Sequence, residues 1–127
     1  MLKGKTALVT GAAKRIGKAI AHVLVQNHVN VIMHYCSSTD RDVENALTEI
    51  NVPDVEIWKF QSDFSNIDNV DRLFEKIERS IGTVDFLINN ASVFTPSNLT
   101  TLSVQELNHT LTINSIAPFR LSQHMAK

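Results

Sequence analysis

The chain has 127 residues, 43% hydrophobic and 20% charged, with 12 basic and 13 acidic side chains giving a formal net charge of −1. This is the balance of one ordinary globular domain, and it offers no basic footprint for nucleic acid or an anionic membrane. The single cysteine, Cys36, excludes an internal disulfide framework and CxxC metal or redox sites, so no metal is expected. No apolar run approaches the ~20 residues of a membrane span. Met1–Lys5 leads straight into a strand-like run with no signal-peptide core, which makes the cytoplasm the default location.

Short apolar runs alternate with longer amphipathic ones. Thr6-Ala7-Leu8-Val9-Thr10 reads as a strand buried on both faces. After a glycine turn, Ile16, Ala19, Ile20, Val23 and Leu24 recur at helical spacing and are expected to face inward. Val29 to His34 is the second strand. Asp40 to Ile50 is a helix with Val43, Ala46, Leu47 and Ile50 inward, and Pro53 helps to end it. Val55 to Phe60 is the third strand. Ser65 is placed to cap a helix whose apolar stripe is Val70, Leu73, Phe74, Ile77 and Ile81, with Gly82 at its end. Val84 to Ile88 is the fourth strand. Ser103 and Glu106 then have capping-box spacing before a last helix carrying Val104, Leu107 and Leu111.

Strand and helix alternate four times, and parallel strands need crossovers that are right-handed. The expected fold is α/β, a Rossmann-type doubly wound parallel sheet in the order 3-2-1-4. Ligands in such sheets sit beyond the carboxyl ends of the strands, at the switch point between strands 1 and 4. Four loops therefore carry the function.

In the first, Gly11 permits a tight turn and Gly17 lets the helix approach closely, so the amides around Ile16 face a pyrophosphate. Lys14 and Arg15 are solvated cations or phosphate partners. In the second, an enzyme preferring NAD would carry an acid to hold the ribose. The run His34-Tyr35-Cys36-Ser37-Ser38-Thr39 has none before Asp40, and its hydroxyls can receive a 2′-phosphate or cap the next helix. NADP(H) is thus favoured over NAD(H). In the third, Asp63, followed by Phe64, can accept from the adenine amine or can cap the helix with Ser65. In the fourth, Asn89 and Asn90 brace the turn, small Ala91 admits a cofactor, and Ser92-Val93-Phe94 follow. Asn114 is spaced to share the inward face of the last helix, where Pro118 would disturb the hydrogen bonding.

Thr10-Gly11…Gly17, Asp63 with Ser65, Asn89-Asn90-Ala91 and Asn114…Pro118 resemble, in order, the motifs of the short-chain dehydrogenase/reductase family. Arg15 and Ser92 stand where that family often has glycine. With His34-Tyr35 and Asn-Asn-Ala-Ser-x-Phe, they make the chain similar to pteridine reductases. The resemblance implies NADPH as donor, held by the loops named above. It also implies a pterin-like substrate between the nicotinamide and Phe94, with Arg15 and Ser92 at its polar edge, and a homotetramer for a full-length form. The family's chemistry uses a Tyr-x-x-x-Lys pair. The only tyrosine here is Tyr35, with Thr39 four positions on, so Asn114 alone of the catalytic set is present. The chain is expected to be the amino-terminal, NADP-binding part (residues 1–127) of a reductase whose catalytic portion lies elsewhere, and to be inactive alone. The alternative is a non-catalytic nucleotide-binding or interaction module.

Overall fold

A computed structural model describes residues 1–127. The first strand, β1 (Thr6–Val9), is buried along its whole length. Then come α1 (Arg15–Gln26), β2 (Asn30–Tyr35), α2 (Asp40–Ile50), β3 (Ile57–Gln61), α3 (Ile67–Ser80) and β4 (Phe86–Ile88). The last region is one helical run made of α4 (Val104–Leu111), a π-helical turn (Thr112–Ile116) and α5 (Ala117–Met125). The sheet is parallel in the order β3-β2-β1-β4, as expected, with Leu8 beside Ile32 on one side and Leu87 on the other.

Successive strand residues point to opposite faces, and the two cores divide accordingly. Leu8 and Ile32 pack with Val70, Leu73, Phe74 and Ile77 of α3 and with Leu121 of α5. Val9, Val31 and Met33 pack with Ala21 and Val25 of α1 and Ala46 and Ile50 of α2. The two central strands can therefore carry apolar residues on both faces.

Several local expectations shift. The buried face of α1 is Gly17, Ala21 and Val25, with Ile20 and Leu24 half-buried. Ile16 and Val23 are instead 70% and 61% exposed. Small residues win this face because they let the helix lie close to the sheet. The cap of α3 is Asn66, whose side chain accepts from the Asp68 amide, and not Ser65. Ser65 is occupied one turn earlier, where its amide donates to the Asp63 carboxylate at 2.9 Å. Strand β4 starts at Phe86 and not at Val84. Asp85 turns its carboxylate onto the Thr6 amide (2.9 Å) and Lys5 (2.8 Å), and Val84 joins the core. The third strand likewise starts later, at Ile57.

The capping box of Ser103 and Glu106 forms as expected. The face it introduces does not pack inward: Val104, Leu107 and Leu111 are 73%, 42% and 44% exposed. The disturbance at Pro118 is the π turn. Proline has no N–H for the Asn114 carbonyl four residues earlier, and the preceding turn widens so that the Ala117 amide reaches the Thr112 carbonyl. Beyond it, α5 is pinned to α3. Asp71 accepts from Arg120 Nε at 2.7 Å and Nη2 at 3.1 Å, and His124 Nε2 lies 2.7 Å from the same carboxylate. The His124 ring stacks on Phe74.

Leu121 is fully buried at this α3–α5 contact, whereas Leu111 is partly exposed. Leu121→Ala should cost about 2–5 kcal/mol and Leu111→Ala no more than about 0.5 kcal/mol, measured by urea unfolding. Equal costs would mean that α5 does not contribute to the core as described.

Candidate functional site

The site is built where β1 and β4, adjacent in the sheet, send their chains to opposite sides. Thr10, just past β1, is 2% exposed and serves as the hub. Its amide donates to the Ile88 carbonyl at 3.0 Å. Its hydroxyl accepts from the amides of Asn90 and Ala91, both at 2.9 Å. Asn90 returns the bond: its side-chain amide donates to the carbonyls of Thr10 (3.0 Å) and Gly11 (3.1 Å). Two loops some eighty residues apart in sequence are thus stitched together by four hydrogen bonds.

Two glycines allow this. Gly11 has φ +64°, a region open to glycine at little cost. At Gly17 a β-carbon would lie 2.0 Å from the Gly11 carbonyl oxygen and 2.6 Å from the Asn90 side-chain nitrogen. The first turn of α1 can therefore reach the loop only without a side chain at this position.

Above the junction lies a groove of about 520 Å³. Every residue assigned to a dinucleotide on sequence grounds lines it, from Gly11, Lys14, Arg15, Ile16 and Gly17 through His34, Tyr35, Ser37 and Ser38 to Asp63, Phe64, Asn90, Ala91 and Ser92. Ala13, Cys36, Val93 and Ile113 also line it; nothing in the sequence assigns them to the site, and Ala13, Val93 and Ile113 are small or apolar residues without a chemical signal.

The individual settings differ from expectation. Lys14 is not free: it pairs with Asp42 at 3.0 Å. Asp42 also closes the capping box of α2 with Thr39, and these bonds (the Thr39 hydroxyl first, then Lys14) draw its carboxyl down to about 2. Thr39 is thereby spent as a cap, and no protein partner engages the hydroxyls of Ser37 and Ser38. Arg15 is exposed and makes no ion pair, and it holds a left-handed backbone (φ +50°) that costs any residue other than glycine. Tyr35 packs against Ala13 and Val43, 9% exposed, and is floor more than ligand. Asp63 folds its carboxylate onto the Ser65 amide, which lowers its pKa.

His34 is 2% exposed. Its Nδ1 accepts from the Gly11 amide at 3.2 Å, its Nε2 lies 2.8 Å from the Ser62 carbonyl oxygen, and its ring stacks on Phe64. Burial pushes its pKa down to about 4, against a smaller opposing effect of the Ser62 bond.

Asn114 is exposed, not inward, because the π turn rotates it off the packed face. Its amide still makes two bonds of 2.8 Å, accepting from the Val93 N–H and donating to the Val93 carbonyl. This clasp holds the Ser92–Phe94 segment. Phe94 lies beside the groove, 87% exposed.

Of the four separate helix N-termini, α2, α3 and α4 are capped by Thr39, Asn66 and Ser103. Only α1 has neither a side-chain cap nor an acidic residue in its first turn, and that end opens into the groove. Uncapped amides at the positive end of a helix suit an anion, so the residues present fit a pyrophosphate.

Residues 5–127 match the family described as short chain dehydrogenase. The chain is 29% identical over 126 residues to 2-dehydro-3-deoxy-D-gluconate 5-dehydrogenase of Formosa agariphila, covering 99% of this chain and 47% of that protein. It is 32% identical over 119 residues to a 3-oxoacyl-[acyl-carrier-protein] reductase of Staphylococcus epidermidis, covering 94% and 48%. Among solved structures it superposes on a short chain dehydrogenase from Burkholderia cenocepacia in complex with NADP, with a TM-score of 0.90 at 30% identity, covering 98% of this chain and 51% of that one. A blue fluorescent protein from a metagenomic library, in complex with NADPH, gives 0.90 at 28% identity and the same coverage. The chain thus spans about half the length of the proteins it matches.

Gly17→Ala should cost about 3 kcal/mol or more, since neither the Gly11 carbonyl nor Asn90 can retreat without breaking the stitch; urea unfolding that matches the parent would show the junction to be loose. For His34, an ordinary pKa of 6.5 in the unfolded chain and about 4 in the fold means that the unfolded state takes the proton first as pH falls. Stability should be full above about pH 6.5 and decline from there to about pH 4, by roughly 3 kcal/mol in all. Denaturation of the parent and His34→Gln between pH 7.5 and 4 checks this, and parallel pH profiles would refute it.

Proposed function

The chain belongs to the short-chain dehydrogenase family, and we propose that its groove binds NADP(H) and serves an NADPH-dependent reductase. The observation that carries the reading is the open end of α1: uncapped amides beside the unpaired Arg15 guanidinium, facing two free serine hydroxyls across the groove. An arginine can bind a phosphate through two parallel bonds, and Ser37 and Ser38 can add acceptor-directed hydroxyls. No acid follows β2 directly, where one would oppose a 2′-phosphate. The NADP- and NADPH-bound neighbours agree in cofactor.

When bound, the cofactor supplies a hydride to a carbonyl or imine-like carbon. The transition state then develops charge that needs a positioned proton donor. Within residues 1–127 no Tyr-x-x-x-Lys pair exists, and Asn114 has its amide committed to Val93. We place binding in this chain and proton donation outside it. The substrate reading is narrower and rests on motif alone: a flat pterin-like ring over the exposed Phe94, with Ser92 and Arg15 at its polar edge. The exposed apolar residues of the 104–125 run would serve a homotetramer in a full-length form.

NADPH should bind residues 1–127, seen as a change in its fluorescence, and NADP+ should compete at least tenfold better than NAD+, since charge-assisted contacts to a phosphate are worth about 1.5–3 kcal/mol each. Arg15→Gly removes the guanidinium while suiting the left-handed backbone, so it should erode this preference without loss of thermal stability. NADPH should not be consumed when dihydrobiopterin is added. Equal affinity for the two cofactors would end the 2′-phosphate reading, and steady turnover would end the assignment of the proton donor to residues outside this chain.

A further inference from the structure

His34 places a polar side chain directly after Val31, Ile32 and Met33 in β2, and it is buried nearly as deeply as they are. A backbone amide can only donate and a carbonyl can only accept. With Gly11 N–H on Nδ1 and the Ser62 carbonyl on Nε2, the ring must be neutral and carry its hydrogen on Nε2. Its face lies on Phe64, 4.0 Å between centroids and 2° from parallel. One imidazole therefore touches the loop after β1 through Gly11 and the loop after β3 through Ser62 and Phe64.

Those two loops sit at different parts of the groove. Gly11 leads into the uncapped end of α1, and Phe64 adjoins Asp63 at the far wall. Backbone bonds join the strand ends, Ala12 N–H to the His34 carbonyl at 2.9 Å and Ser62 N–H to the Tyr35 carbonyl at 3.0 Å. The His34 ring adds a direct side-chain bridge between the first loop and the third.

We propose that His34 is a positioning residue, a rigid spacer that sets the pyrophosphate-facing loop against the adenosine-facing loop and so tunes dinucleotide affinity through those loops, its own ring nitrogens both being committed to protein. This rests on the NADP(H) reading above. A second proton would put Nδ1–H against Gly11 N–H, two donors face to face, so the spacer works only in its neutral form. The titratable side chains lining the groove around it are Lys14 and Arg15 from the first loop, Tyr35 and Cys36 beyond its own position, and Asp63 from the third loop. The protonation of His34 is governed first by burial and then by the Ser62 carbonyl.

The test uses residues 1–127, with NADP+ binding followed by calorimetry at pH 7.5 and folding followed by circular dichroism. His34→Phe keeps a flat ring for the stack and removes both hydrogen bonds. His34→Gln offers one acceptor and one donor at about the spacing of the two ring nitrogens. The phenylalanine variant should lose at least tenfold in affinity, and the glutamine variant should stay within threefold of the parent. A folded phenylalanine variant that binds as tightly as the parent would overturn the proposal, as would a glutamine variant as weak as phenylalanine. If the phenylalanine variant does not fold, the glutamine variant decides: parent-like affinity supports the spacer, and a tenfold loss refutes it. Absence of NADP+ binding by the parent would instead overturn the cofactor reading beneath both.

Discussion

No β-carbon fits at Gly17 between α1, the Gly11 carbonyl and the Asn90 side chain, and the geometry of the groove depends on that contact. A helix that begins one methyl group further out would break the reach of Asn90 to Thr10 and Gly11, and with it the register of the β4 loop against the β1 loop. Thr10 answers from below, its hydroxyl accepting from two consecutive amides of that loop. Each of these groups is buried or half-buried and satisfied, which is the condition for polar atoms to add rigidity and not instability. No buried side-chain nitrogen or oxygen in the protein lacks a partner.

The charged residues around this junction are divided between structure and binding. Asp42 holds both the start of α2 and Lys14, so one of two adjacent cations is withdrawn into the scaffold. Arg15 is left without a partner and in a backbone conformation unfavourable for its side chain. Strain of this kind persists where the surroundings over-determine a residue, and here the uncapped turn of α1 and the Gly17 contact do so. Three helices spend a side chain on their own first turn, whereas α1 leaves its amides to face the groove.

The architecture was legible because it follows from periodicity. The bounds of α2 are those read from Asp40 to Ile50, the strand order is the expected one, and the groove collects the residues read from the strand ends. What was not legible depends on contacts distant in sequence. The inward face of α1 is chosen by Gly17 and Ala21, whose value is smallness and not hydrophobicity. Asn66 displaces Ser65 because Ser65 is tied to Asp63, a competition between two good caps that spacing cannot resolve. His34 reads as a cofactor residue from its place at a strand end, and nothing in the sequence says that both its nitrogens bond to the protein. Counting 3.6 residues per turn places Asn114 inward, but the count runs through a segment that Pro118 widens, and Asn114 is exposed.

That widened turn separates two kinds of surface along one helical run. Past it, Ala117 and Leu121 are buried in the core and Arg120 is locked to Asp71, so α5 is an integral part of the layer packed on the sheet beside α3. Before it, Val104, Leu107 and Leu111 stay exposed, and at the turn itself the buried Ile113 and the Asn114–Val93 clasp tie the run to the mouth of the groove. The groove walls come from strand ends held by backbone and buried side chains, whereas Phe94 stands on a segment held by one exposed amide. The proposed dinucleotide site therefore draws on the most constrained part of the molecule. The proposed substrate side draws on a part that the proline-induced turn positions from outside the core, where residues can vary without disturbing the fold beneath.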